Sequence, residues 1–138
     1  MPKTWSQKFE GGKPPHVVTL EAAFAGVPPG AKLLIASPKL LAQKIATIPE
    51  GQVRDVVELR RELAQEHGAD ATCPVSTAIF LRITAEAALE QLAKGTPVAQ
   101  ITPFWRAVTP GSKLAQKLSC GDDFLRHQRA LEAASTAA

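Results

Sequence analysis

Two cysteines and three histidines are the side chains of this sequence best suited to chemistry, and their spacing limits what they can do. Cys73 stands between Thr72 and Pro74, where a proline can open a helix. The positive end of a helix lowers a thiol's pKa toward the nucleophilic thiolate. One reading makes Cys73 a relocated nucleophile. The other, which has the greater weight, makes it a packed or capping residue, because no histidine or lysine lies near it in sequence as a partner. His16, His67 and His127 are scattered and build no triad; His67, followed by Gly68, most simply ends a helix, where a cation is favoured. There is no CxxC pair and no Cys/His cluster at zinc spacing, so neither a metal nor a cofactor is expected. Gly11-Gly12-Lys13 lacks the preceding strand and the spacing of a phosphate loop. No catalytic residue is assigned.

Binding chemistry is better represented. The formal net charge of +3 is modest, so its distribution matters more than its size. From Gln91 to Gly121 there is no Asp or Glu, while Lys94, Arg106, Lys113 and Lys117 all fall there. The preceding half mixes its signs, as in Glu58, Arg60, Arg61, Glu62 and Glu66. Such a window arises by chance in a chain with 13 acids, and it is equally the footprint of a polyanion partner. Phe104 and Trp105 precede Arg106 inside it. The pair either packs into the core or offers stacking surfaces for an extruded base, each stack being worth roughly 1–3 kcal/mol.

The elements that must position these residues follow from local signals. A chain of 138 residues suits one domain, no apolar run approaches the roughly 20 residues of a membrane span, and the first ten residues do not read as a secretory signal. A cytoplasmic protein is expected. Residues 1–36, punctuated by Gly11-Gly12, Pro14-Pro15 and Pro28-Pro29-Gly30, read as an irregular arm with extended pieces at His16 to Leu20 and Leu33 to Ile35. Ser37-Pro38 starts a first helix, and Pro49-Glu50-Gly51 stops it. Asp55 caps a second, short helix carrying Val56, Leu59 and Leu63, which closes at His67-Gly68. Pro74 opens the third and longest helix, with Val75, Ile79, Ile83, Ala87 and Leu92 on its apolar face and Ser76, Thr77, Arg82, Glu86 and Glu90 on the other. A short helix, a turn and a longer helix with a small, polar N-terminal end match a DNA-binding helix-turn-helix, and equally an ordinary helical hairpin. Thr96 to Ser119 reads as loop and short extended segments, a wing. A last helix starts at Gly121-Asp122, and residues 133–138 form a flexible tail.

The run Ile48-Pro49-Glu50-Gly51-Gln52-Val53, then Glu58-Leu59, and later Thr102-Pro103-Phe104-Trp105-Arg106-Ala107-Val108 resembles the DNA-binding domain of the alkylguanine-DNA alkyltransferases (methylated-DNA-protein cysteine methyltransferases). That family has an Ile-Pro-x-Gly-x-Val turn before its helix-turn-helix and a Pro-Cys-His-Arg-Val segment at its active site. The resemblance covers about Ser37 to Glu132 and is closest to the non-catalytic alkyltransferase-like proteins.

The resemblance implies a mainly α fold with short strands, a winged helix-turn-helix-like domain over residues 37–132. It also implies a function, recognition of double-stranded DNA carrying alkylated guanine in DNA repair, with a repair protein as a further partner. The departures from the family pattern decide the chemistry. The family moves an alkyl group from a flipped guanine to a cysteine thiolate, with a neighbouring histidine as base. Here those two positions are Phe104 and Trp105, and neither can do that work. The family's phosphate-side tyrosine falls on Val56, and its base-replacing arginine falls near Pro74, with Arg82 the nearest alternative. The expected DNA-binding residues are Ser76, Thr77, Arg82, Arg106, Lys113 and Lys117, with Pro103, Phe104 and Trp105 at a lesion pocket. The alternatives are thiol-dependent alkyl transfer through Cys73 and a protein-interaction module on the same scaffold.

Overall fold

A computed structural model describes residues 3–136. Helices α1 (Trp5–Glu10), α2 (Pro38–Ala46), α3 (Val56–Glu66), α4 (Pro74–Ala93), α5 (Lys113–Lys117) and α6 (Gly121–Thr136) dominate it, with strands β1 (His16–Thr19), β2 (Lys32–Ile35) and β3 (Ala71–Thr72). The chain is mainly helical with one small sheet, and none of the described helices is long and apolar enough to cross a membrane.

Helix starts follow local chemistry, since the first N–H groups of a helix need partners from outside it. Ser37 Oγ accepts from Leu40 N, with Pro38 in the first turn of α2. The Asp55 carboxylate accepts from Val57 N and Glu58 N at the head of α3, and His67 closes that helix. Pro74 opens α4 behind Cys73, whose sulfur accepts from Ser76 N at 3.5 Å.

The sheet runs β1-β2-β3, antiparallel at the first pair and parallel at the second. All of β1 is exposed, whereas β2 buries Leu33 and Leu34. Leu34 shares one core with Leu41 and Ile45 of α2, Leu59 and Leu63 of α3, Leu81 of α4, Phe104 and Leu125. The stretch read from sequence as an arm therefore contributes a core strand, and it also carries a helix, α1, that was not expected. Residues 1–2 of that arm and 137–138 of the expected tail lie outside the described residues, while 133–136 continue α6.

Two expectations are corrected. No strand forms between residues 96 and 119; 3-10 turns at Val98–Gln100 and Phe104–Arg106 are followed by α5. Pro97, Pro103 and Pro110 each remove an N–H that a strand ladder would need. The buried face of α4 also departs from the one expected in its first turns, while Ala87 is buried and Ile83 and Leu92 are half-buried in keeping with it. Val75 and Ile79 are exposed, while Thr77, Leu81, Thr84, Ala85 and Ala88 point inward. Burial of the two threonines is tolerated because their hydroxyls bond helix carbonyls. Thr77 Oγ1 donates to Cys73 O at 2.6 Å, and Thr84 Oγ1 lies 2.9 Å from Phe80 O and 3.0 Å from Pro38 O, the latter tying α4 to α2.

Candidate nucleic-acid interface

The segment Pro103 to Val108 is held from several directions. Arg129 of α6 donates from Nε to Trp105 O at 2.7 Å and from Nη2 to Val108 O at 2.9 Å. Arg54 N donates to Arg106 O at 2.9 Å. Arg106 itself forks onto Glu132 and donates from Nη1 to Ile48 O at 2.8 Å. Burial is the largest influence and pushes the Glu132 carboxyl up, but the hydrogen bonds and charge of Arg106, together with the Trp105 indole and the Gly51 backbone, outweigh it and hold the group below the ordinary carboxylate range. The Trp105 indole N–H lies close enough to favour that charge without meeting hydrogen-bond geometry, and it is buried with no other partner. Arg129 and Glu132 are positioning residues that sequence reasoning missed, because their partners are carbonyls and a side chain distant in sequence.

This clamp decides the fate of the aromatic pair. Phe104 is 0% exposed and Trp105 3%. Their rings meet edge-on at 5.4 Å, and Phe124 stacks on Phe104 at 5.8 Å. They pack the core and offer no stacking face to solvent, so the core-packing reading is the one the geometry follows. Arg106 is likewise turned inward onto Glu132. Pro103 is half-buried, and with Trp105, Arg106 and Glu132 it lines a crevice of about 550 Å³ between the 3-10 turns and α6.

A pocket does lie on the other side of this segment. It has a volume of about 170 Å³ and is framed by Val56 and Arg60 of α3, Pro74 and Ala78 of α4, and Ala107 and Val108. Ser112 and Leu114, at the start of α5, complete its wall. The pocket thus occupies the junction of the α3–α4 pair with the clamped segment, at the N-terminal end of α4. Arg60 forms no ion pair among the described residues, so its charge is available at the pocket. Sequence reasoning passed over it as part of a mixed-charge run. Its spacing of four from Val56, which places both on one face of α3, was the available signal.

The remaining expected contacts divide. Lys113 and Lys117 are exposed on one face of α5 and unpaired among the described residues. Thr77 is fully buried and cannot reach a groove, and the Ser76 hydroxyl is buried without a partner. What α4 exposes in its first turns is Val75, Ala78 and Ile79. The Arg82 guanidinium carbon lies 5.3 Å from the Trp5 ring, with Nε buried and unpartnered. The structure therefore brings Arg60 to the pocket, leaves Lys113 exposed between the lining residues Ser112 and Leu114, and turns Arg82 and Arg106 to other partners.

Neither thiol is poised for attack. Cys73 is 4% exposed and serves as a helix cap. Burial pushes the Cys120 thiol up, and the charge of Glu86 adds to that. No group of three metal-capable side chains occurs among the described residues. Compared with known proteins, the chain matches no family model, no curated protein and no solved structure.

Proposed function

We propose that this chain is a non-catalytic DNA-binding protein, a helix-turn-helix-like domain of the alkyltransferase-like type, with 3-10 turns and α5 where a wing was expected, that recognises alkylated guanine in double-stranded DNA. The observation that carries the reading is the pocket at the head of α4, built against the one segment whose residue order resembles the alkyltransferase active site. An apolar cavity of ~150 Å³ holds a benzene ring, so about 170 Å³ with one side open admits one ring or the alkyl-bearing edge of an extruded base, the rest of which stays outside. The lining is mainly aliphatic. An O-alkyl group on guanine adds apolar surface and removes the N1–H donor, so such a lining favours the alkylated base over the normal one. Arg60, Lys113 and Lys117 supply phosphate contacts, and Phe104 excludes a reaction at the acceptor position.

The test is fluorescence-anisotropy titration of a duplex with and without one O6-alkylguanine, at two salt concentrations. Tighter binding to the lesion is expected, and Ala78→Phe, which fills the pocket, should remove that preference while leaving undamaged duplex bound. Lys113→Gln with Lys117→Gln should weaken both duplexes and reduce the salt slope by about two. Absence of binding at low salt would sink the proposal.

Exposed Val53, Val57, Val75 and Ile79 favour a second reading, a protein-interaction module on the same scaffold. Salt-insensitive association with a protein partner, abolished by Val75→Ser with Ile79→Ser in a chain that binds no DNA, would select it.

A further inference from the structure

A second cavity, of about 320 Å³, opens on another side of α4, where it uses Phe80 and Ile83 rather than Pro74, Ala78 and Leu81. Its floor is apolar, from Ile35, Pro38, Phe80 and Ile83, and its rim carries Lys3, Lys8, Lys13 and His16 with no carboxylate in the lining. We propose that this cavity binds a small amphipathic carboxylate, with a medium-length alkyl or aryl body on the floor and the anionic head among the lysines.

The frame of the cavity supports a built site. Helix α1 has six residues and buries none of them, and a helix that short does not persist alone in water. It is nevertheless pinned at its start. Thr4 and Gln7 form a reciprocal capping box. Glu90 of α4 accepts from Trp5 N at 3.0 Å, from Ser6 N at 3.0 Å and from Ser6 Oγ at 2.8 Å. What this arrangement positions is a cavity wall and a charge: the Lys8 ammonium rests 4.4 Å from the centre of the Trp5 ring, a contact that orients a cation without neutralising it. Glu10, at the end of the same helix, is ion-paired to Lys39 at 2.6 Å. Lys3, Lys8 and Lys13 have no ion pair among the described residues, so their charge stands over the apolar floor uncompensated.

The two halves of the site select together. Lysines alone make a solvated surface of little binding value, and an apolar crevice alone does not discriminate by charge. A cavity about twice the ~150 Å³ that holds benzene, with an aliphatic floor and a cationic rim, discriminates in favour of an anion with an apolar body.

The experiment is an amide chemical-shift titration of the full chain with sodium octanoate, and with 1-octanol and octyltrimethylammonium as neutral and cationic counterparts. Saturable shifts centred on Lys8, Gly12, Phe80 and Ile83 are expected for octanoate, with affinity rising up to about fourfold for each methylene from hexanoate upward. Lys8→Gln with Lys13→Gln should weaken octanoate by about tenfold, and Ile83→Trp, which fills the floor, should remove the shifts while thermal unfolding reports that the variant is folded. Equal binding of octanol, scattered non-saturating shifts, or indifference to the lysine substitutions would overturn the proposal. So would a loss of duplex affinity on the same substitutions in a chain that ignores octanoate, since the lysines would then belong to a DNA-phosphate surface.

Discussion

Arg106 meets Glu132 as a two-point fork, Nε to Oε1 at 3.0 Å and Nη2 to Oε2 at 2.7 Å, with side chains only 15% and 11% exposed. Its third donor, Nη1, reaches Ile48 O, so one guanidinium ties the 103–108 segment to α6 and to the turn after α2. Removing one partner of a buried pair leaves an uncompensated charge and costs about 3 kcal/mol, whereas replacing both by apolar groups of similar volume costs far less. Arg106→Met is therefore expected to lower unfolding free energy by about that amount in urea titrations, and Arg106→Met with Glu132→Leu by clearly less than the two single changes summed. Arg106→Met should leave the salt slope of duplex binding unchanged wherever the protein is folded. A slope reduced by one would instead return Arg106 to the phosphate contacts.

The same pair makes stability depend on pH in a defined direction. Arg106 holds Glu132 below its ordinary value of 4.5 in the folded chain despite burial. The unfolded chain therefore takes up the proton first as pH falls. The contribution of the pair is fully present above the unfolded value and is lost as pH drops through the lower, folded one. Glu62, lowered by Arg54 and Lys44 against its own desolvation, acts in the same sense. Urea midpoints should be flat between neutrality and about pH 5 and fall below it. Glu132→Gln, less stable at pH 7, should show the shallower acid fall; an identical acid profile would remove Glu132 from the explanation.

Restoring a thiol at the acceptor position is not expected to restore an enzyme. Phe104 is fully buried against Trp105 and Phe124, so Phe104→Cys exchanges a ring for a void and should cost about 3 kcal/mol. The new thiol would have no solvent path in the folded chain and an indole, not an imidazole, as its neighbour. Incubation with a labelled O6-benzylguanine duplex should leave the protein unlabelled. Stoichiometric transfer to the introduced thiol would show that the segment opens.

Element starts were legible because capping is local: Ser37-Pro38, Asp55 and Pro74 each announce a helix within four residues of the bond they make. The facing of α4 was not legible from periodicity, since Thr77 and Thr84 read as polar until their hydroxyls are seen bonded to Cys73 O, Phe80 O and Pro38 O. Arg106 read as a surface cation for the opposite reason, its partner lying 26 residues away on another helix. Helix α1 escaped notice because it is six residues long and buries none of them; its Thr4–Gln7 capping box was a local signal that went unread, and the contacts of its start with Glu90 come from a distant helix. Arg60 was visible as a charge, but only the fold places it beside Ala107 and Val108.

Gly51, in the Ile-Pro-x-Gly turn, meets a requirement set by the far end of the chain. It has φ +85°, and a Cβ there would run into the side chain of Thr136, the last described residue of α6. Thr136 is not free to swing away without loss, since its Oγ1 donates to Glu132 O at 3.0 Å. Gly51→Ala thus meets two separate costs, a left-handed backbone worth about 1–2 kcal/mol to any L-residue and a collision with α6. Adding Thr136→Ala removes the two nearest atoms and leaves a tight 3.1 Å approach to its Cβ, so the double variant is expected to recover part of the stability lost by Gly51→Ala and to retain at least about 1 kcal/mol of deficit. Urea unfolding of the four members of this cycle separates the terms. Full recovery would mean the backbone conformation carries no cost, and no recovery would mean that α6 does not pack on the turn. Partial recovery would explain the glycine of the motif by packing within this chain, with no contact to DNA required.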